Sequence, residues 1–108
     1  MTKHVLLVFT DPVAGKEDEY NRWYNDVHLG EVLETDDFVK AQRFKVADLM
    51  PGVTDHDYVA IYELDTEDPG AAMAALKGAT GRFNMSDAID LKSAKMTLAS
   101  QVSELAEA

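Results

Sequence analysis

The sequence predicts an α+β fold with elements in the order β-α-β-β-α-β, the split βαβ or ferredoxin-like arrangement. Three observations carry this prediction. Residues 4–10, "HVLLVFT", and 58–64, "YVAIYEL", are apolar on both faces and rich in β-branched and aromatic types, as central strands are. A helix-period stretch follows each of them, and a second strand-like stretch follows each helix. The chain has 108 residues, which suits a single domain, 1–108, burying roughly 65% of its unfolded surface.

The elements justify themselves in order. "HVLLVFT" ends at Asp11-Pro12, and "DPVAG" is a turn. Glu17, Asp18 and Glu19 then stand where the first turn of a helix favours anions. Tyr20, Trp23, Tyr24 and Val27 follow i, i+3, i+4, i+7 and make one apolar stripe. His28 lies on its margin. Leu29 and Leu33 fall on the opposite side of the same wheel, so the spacing predicts a break or bend at His28–Gly30. "LGEVL" then begins a turn with its own buried face, and Gly30 suits a helix end with positive φ.

Residues 38–48, "FVKAQRFKVAD", read as a strand. Phe38, Gln42, Phe44 and Val46 share one side, and Val39, Ala41 and Arg43 the other. "LMPGVTDHD" is a loop, with "DHD" around His56 a solvated turn, and "YVAIYEL" returns as the antiparallel partner strand. "DTEDPGAAMAALKG" is a helix with acidic residues and Pro69 at its start. "ATGRFNMSDAIDL" is an irregular linker holding Phe83, Met85 and Ile89, in which Asp87 is expected to cap a short turn. Residues 92–105 form the last strand, and "AEA" is a frayed tail. Two helices cover one face of the four-stranded antiparallel sheet. The first and third strands are apolar on the other face too, so a second copy of the chain is the expected cover, giving a homodimer.

Composition excludes several function classes. The net charge is −10, with 20 acidic and 10 basic residues, so no nucleic-acid partner is expected. The absence of cysteine removes disulfides, thiolate metal sites, iron–sulfur clusters and a cysteine nucleophile. The N-terminal apolar run is too short for a signal peptide or a membrane span, and a cytoplasmic protein with no membrane partner is expected. Phosphate-loop, HExxH and G-x-S-x-G patterns are missing. His28 and Glu31 lie at i, i+3, too few for a metal site, so neither metal nor cofactor is expected.

The block "PVAGKEDEYNRWYNDVHLGEVLETDDFVKAQRFK", with "MSDAIDL" before the last strand, resembles the EthD-type branch of the dimeric α/β-barrel superfamily. That branch carries a helix with an aromatic-Tyr-x-x-x-His signature, which Trp23, Tyr24 and His28 match. Gly30 stands where Pro is common, and Asp37-Phe38 replaces the usual Gly-Phe. The resemblance implies a dimeric barrel with a pocket between the helices and the concave sheet face. Relatives by fold include cofactor-independent monooxygenases, polyketide cyclases, lactone isomerases and haem enzymes, so the resemblance implies no single reaction.

Candidate chemistry centres on His28, which titrates near neutrality and can take and return a proton. Its other role would be structural, tying the helix bend. Tyr24 is the candidate hydroxyl for a developing oxyanion, with Tyr62 as the other choice. Trp23 and Tyr20 are candidate pocket walls with core packing as the alternative. Tyr58 and Tyr62 share one strand face and line either the pocket or the dimer core, and Phe83 and Met85 lie on a linker that is a candidate lid. Arg43 is a candidate for binding a carboxylate or enolate, or an ordinary ion-pair partner. The function expected is a cofactor-independent enzyme acting on a small apolar or aromatic carbonyl compound by proton transfer at His28, of isomerase, cyclase or lyase type. The alternatives are cofactor-free monooxygenation of an electron-rich aromatic, or non-catalytic ligand binding in a catabolic pathway.

Overall fold

The structure is a computed structural model and describes residues 2–108. Four strands, β1 (Lys3–Thr10), β2 (Phe38–Lys45), β3 (Tyr58–Asp65) and β4 (Lys95–Ser100), form one sheet in the order β2-β3-β1-β4. Every neighbouring pair is antiparallel. The helical segments α1 (Glu17–Trp23), α2 (Leu29–Leu33) and α3 (Pro69–Ala79) lie in the two crossovers, β1 to β2 and β3 to β4. This is the expected ferredoxin-like α+β fold.

The strand period decides which face carries the core. His4, Leu6, Val8 and Thr10 of β1 face the helices, level with Leu64, Tyr62, Ala60 and Tyr58 of β3. Leu6, Tyr20, Tyr24, Tyr62 and Leu64 are almost wholly buried. Each such side chain contributes about 1.5–3 kcal/mol by leaving water. His4 closes one end of the layer through Ser100 Oγ at 2.8 Å and the carbonyl of Thr66 at 3.1 Å. The opposite face presents Val5, Leu7, Phe9, Val59 and Ile61, with Phe44 44% exposed. No helix of the described residues covers it.

The predicted bend at His28–Gly30 takes a different form. The chain does not break. Tyr24–His28 form a π-helical turn between α1 and α2, and Trp23, His28 and Leu29 all keep right-handed helical angles. One surplus residue in that turn shifts the register, which brings Val32 into the core and half-buries Leu29 and Leu33. Gly30 is helical, so the positive φ expected there is not needed; Gly15 and Asp37 have positive φ instead, at 82° and 76°. Asp37 adopts the left-handed conformation at the position where the resemblance places Gly.

Strand β2 ends at Lys45 rather than at 48, and its sidedness is corrected as well. An irregularity between Phe38 and Lys40 adds a residue, so Phe38 shares the helix-facing side with Ala41 and Arg43 rather than with Gln42 and Phe44. Strand β4 is shorter than 92–105, because Leu91–Ser93 form a turn and the chain leaves the sheet after Ser100. Asp68 caps α3, accepting from the Ala71 N–H at 3.0 Å, with Pro69 behind it. In the linker, Ser86 Oγ rather than Asp87 takes the turn N–H, that of Ala88. His56 is not a solvated turn residue: it is half-buried against Phe9 and bonds Thr54 Oγ1 and the Ser93 carbonyl, joining the 46–57 loop to the linker.

Candidate functional site

A cavity of about 320 Å³ lies between the sheet and the helices. Leu6, Val8 and Thr10 of β1 and Tyr62 of β3 form its floor. Tyr24, His28 and Val32 come from the first helical crossover, and Leu76 and Thr80 from α3 and the turn after it. Phe83, Met85, Ile89, Leu91 and Ala94 from the linker, with Met96 of β4, complete the wall. Met85, Leu91 and Met96 are 45%, 61% and 56% exposed and mark the mouth. The wall has no Asp, Glu, Lys or Arg among the described residues, so it suits a neutral, largely apolar ligand held by a few polar atoms.

The π-turn places those polar atoms. Tyr24 and His28 stand at its two ends, on the same cavity wall, their rings edge to face at 5.0 Å. Trp23 stacks on the imidazole from outside at 4.7 Å, and Phe83 meets it edge-on at 5.5 Å. His28 Nδ1 is turned toward Glu31 Oε1, 3.8 Å away, which leaves Nε2 as the nitrogen for a ligand. Burial holds the His28 pKa below its ordinary 6.5, opposed by the Glu31 carboxylate and reinforced by Arg43. The imidazole is therefore neutral at neutral pH and free to accept a proton.

The Tyr62 hydroxyl donates to the Tyr24 oxygen at 3.3 Å. Burial pushes the Tyr24 phenol up to about 12, despite the bond from Tyr62 that lowers it. Burial and the neighbouring Tyr24 raise Tyr62 further. Both hydroxyls keep their protons and act as donors, as oxyanion stabilisation requires.

The structure brings His28, Tyr24, Tyr62, Phe83 and Met85 together on the cavity wall. It places the other sequence candidates elsewhere. Trp23 backs His28 and donates from Nε1 to the Asn84 carbonyl at 2.7 Å. Tyr20 lies beneath Thr10 and bonds its hydroxyl. Tyr58 bonds Glu17 and Asn21. Arg43 lies over the rings of Tyr24, Tyr20 and Tyr58, at 4.3, 5.1 and 5.1 Å from their centroids, and donates to Asn21 and Asn25 at 2.9 and 2.8 Å. Sequence reasoning weighed Glu31 as a metal ligand alone. The signal for its other role was its i, i+3 spacing from His28, which puts both on one helical face. Thr10 and Val32 gave no signal beyond ordinary core patterning.

No protein-family model matches the sequence, and no curated protein sequence matches it. Solved structures do match. An EthD family protein from Bacillus halodurans C-125 superposes with TM-score 0.65 at 13% identity, covering 94% of this chain and 100% of the other. SnoaB, a cofactor-independent oxygenase from Streptomyces nogalater, gives 0.60 at 14% identity, covering 99% and 100%. A dimeric ferredoxin-like protein of unknown function from Jannaschia sp. CCS1 gives 0.61 at 10% identity, covering 92% and 99%. At such identities the likeness concerns the fold. The chain adopts the ferredoxin-like α+β fold seen in the EthD-type dimeric α/β barrels.

Proposed function

We propose that the cavity binds a small, neutral, apolar or aromatic carbonyl compound, and that His28 removes a proton from it without a resident cofactor. One observation carries this reading. Among the described wall residues His28 is the one imidazole, kept neutral at neutral pH by a pKa that burial lowers from 6.5, and it shares the wall with two tyrosines held neutral by burial. The step balances simply. His28 Nε2 takes the proton from the carbon next to the carbonyl, or from a phenol. The electron pair left behind moves onto the substrate oxygen, and the Tyr24 O–H donates to that oxygen as charge develops. Return of the proton to a different atom completes an isomerisation; expulsion of a leaving group or ring closure gives lyase or cyclase chemistry.

The likeness to SnoaB supports a second reading with the same first step, in which the electron-rich anion reacts with dioxygen, one oxygen atom staying on the substrate carbon as a carbonyl and the other leaving as water with that carbon's two hydrogens. Incubating the protein in D2O with a panel of aromatic ketones and phenols, followed by proton NMR and an oxygen electrode, separates the two. Deuterium incorporation without oxygen uptake is expected. Oxygen uptake with substrate selects monooxygenation, and binding with neither points to a ligand carrier. If His28→Ala exchanges deuterium as fast as wild type, the proton-transfer role is lost.

The uncovered apolar sheet face also supports a homodimer built by a second copy of the chain, as the dimeric Jannaschia structure does for its own chain. Light scattering should give about twice the 11.9 kDa chain mass, and a stable species at the chain mass excludes the dimer.

A further inference from the structure

The gap between His28 and Glu31 is not explained by proton transfer alone. His28 Nδ1 and Glu31 Oε1 are both buried, neither has a hydrogen-bond partner among the described residues, and they face each other at 3.8 Å. That is too long for a hydrogen bond. Buried unpartnered polar atoms are rare, and two across one gap call for a common explanation. A single event satisfies both. With a proton on Nδ1 the ring has a carboxylate to face, and its Nε2 lone pair is left to the cavity. When Nε2 also takes a proton the ring becomes a cation, and charge-assisted N–H···O bonds close to about 2.7–2.9 Å.

The second oxygen of Glu31 is already engaged. Oε2 accepts from the Asn84 backbone N–H at 2.7 Å and from Asn84 Nδ2 at 3.0 Å. The Asn84 carbonyl in turn accepts from Trp23 Nε1 at 2.7 Å. The residues on either side of Asn84, Phe83 and Met85, are cavity wall. One carboxylate therefore touches both the imidazole and the strap that closes the cavity.

We propose that Glu31 is a positioning residue that fixes the Nδ1–H form of His28, closes on the imidazolium when it forms, and couples that event to the seating of residues 83–85 over the cavity. The inference rests on the proton-transfer reading of His28. Of the charged groups around His28, Glu31 alone favours its cation among the described residues. Trp23 and Tyr24 on its own helix and Phe83 on the linker are uncharged rings, with Tyr62 of β3 behind Tyr24. Arg43 of β2, beyond Tyr24, opposes the imidazolium, and Glu31 favours it.

Ring-nitrogen NMR of His28 in the full chain tests this without any substrate. Glu31→Gln removes the charge while its amide oxygen still accepts from Asn84. The His28 midpoint is expected to fall relative to wild type, with the Asn84 amide still protected from exchange. Glu31→Ala is expected to lower the midpoint and expose that amide. In wild type alone, the Asn84 amide resonance should titrate at the His28 midpoint, a measurement that needs no variant to fold. An unchanged midpoint in a folded Glu31→Gln, or an Asn84 amide indifferent to His28, overturns the proposal. Once a substrate is in hand, Glu31→Gln should lower kcat roughly ten- to a hundredfold with KM unchanged, and unchanged kcat overturns it. The NMR results stand apart from the deuterium-exchange result, so failure of either idea is recognisable by itself.

Discussion

Replacing Arg43 by Met removes the guanidinium and keeps most of the apolar stem. The charge lies 4.3 Å from the Tyr24 centroid and 5.1 Å from those of Tyr20 and Tyr58. Such contacts are worth about 0.5–2 kcal/mol, toward the upper end where water is excluded. Its two bonds to Asn21 and Asn25 add about 1–2 kcal/mol together, since both amides can turn to water when released. Against this, Arg43 Nε is buried without a partner among the described residues, and its removal recovers about 1 kcal/mol. The net loss is about 2 kcal/mol. At ~2.1 cal/mol/K per residue, a chain of 108 residues has an unfolding entropy near 0.23 kcal/mol/K. The expected fall in Tm is therefore about 9 °C by differential scanning calorimetry, measured at one protein concentration for both chains. Arg43→Lys should fall between the two, because an ammonium cannot reproduce the planar fork. A Tm for Arg43→Met within ~2 °C of wild type would show that the tyrosine cluster does not depend on the cation, and the reasoning would fail.

Two further outcomes follow from backbone strain and from burial. Asp37 has φ 76°; a non-glycine residue there costs about 1–2 kcal/mol, less for Asp than for most, and the added freedom of glycine costs about 0.5–1 kcal/mol. Asp37→Gly should thus raise stability by about 0.5 kcal/mol in urea denaturation, and a clear loss would mean that the aspartate side chain contributes something the backbone angle does not reveal. His28 has a native pKa lowered from 6.5 by burial. Between that native value and 6.5 the unfolded chain binds more protons than the native one, so stability falls as pH drops through this window. The slope from this residue is at most ~1.4 kcal/mol per pH unit. His28→Gln should lose that part of the slope in urea titrations across pH 5–7.5, and an unchanged slope excludes a buried neutral His28.

The fold was legible because strand and helix periods differ so plainly in this chain. "HVLLVFT" and "YVAIYEL" are apolar on both faces, and they became the two central strands. The shift of stripe across His28 was legible too, but not its cause. A broken helix and a π-turn displace the apolar pattern alike, and the choice depends on backbone hydrogen bonds that no side-chain pattern records. The sidedness of β2 was misread for a similar reason, since one irregular residue at Phe38–Lys40 inverts every position before it. The site was legible in part. His28, Tyr24, Tyr62, Phe83 and Met85 share a cavity, whereas Arg43 lies on the other side of the tyrosines. Nothing local distinguishes an arginine that faces a ligand from one that faces three rings. Glu31 and Asn84 are 53 positions apart, and their pairing exists only once the linker folds back.

The π-turn at Tyr24–His28 has a consequence for how such chains change over time. A π-turn is a helix holding one residue more than its flanks need. Loss of an exposed residue within it, such as Asp26, would restore a plain helix while α1 and α2 kept their seats. Tyr24 and His28 would then stand three residues apart instead of four, still on one face but with their rings turned relative to each other. A single-codon deletion can thus reset the geometry of the candidate site and leave the fold intact, and a single-codon insertion can restore it. Among chains that share this architecture, the length of that one turn is a sharper marker of shared chemistry than the superposition of their sheets.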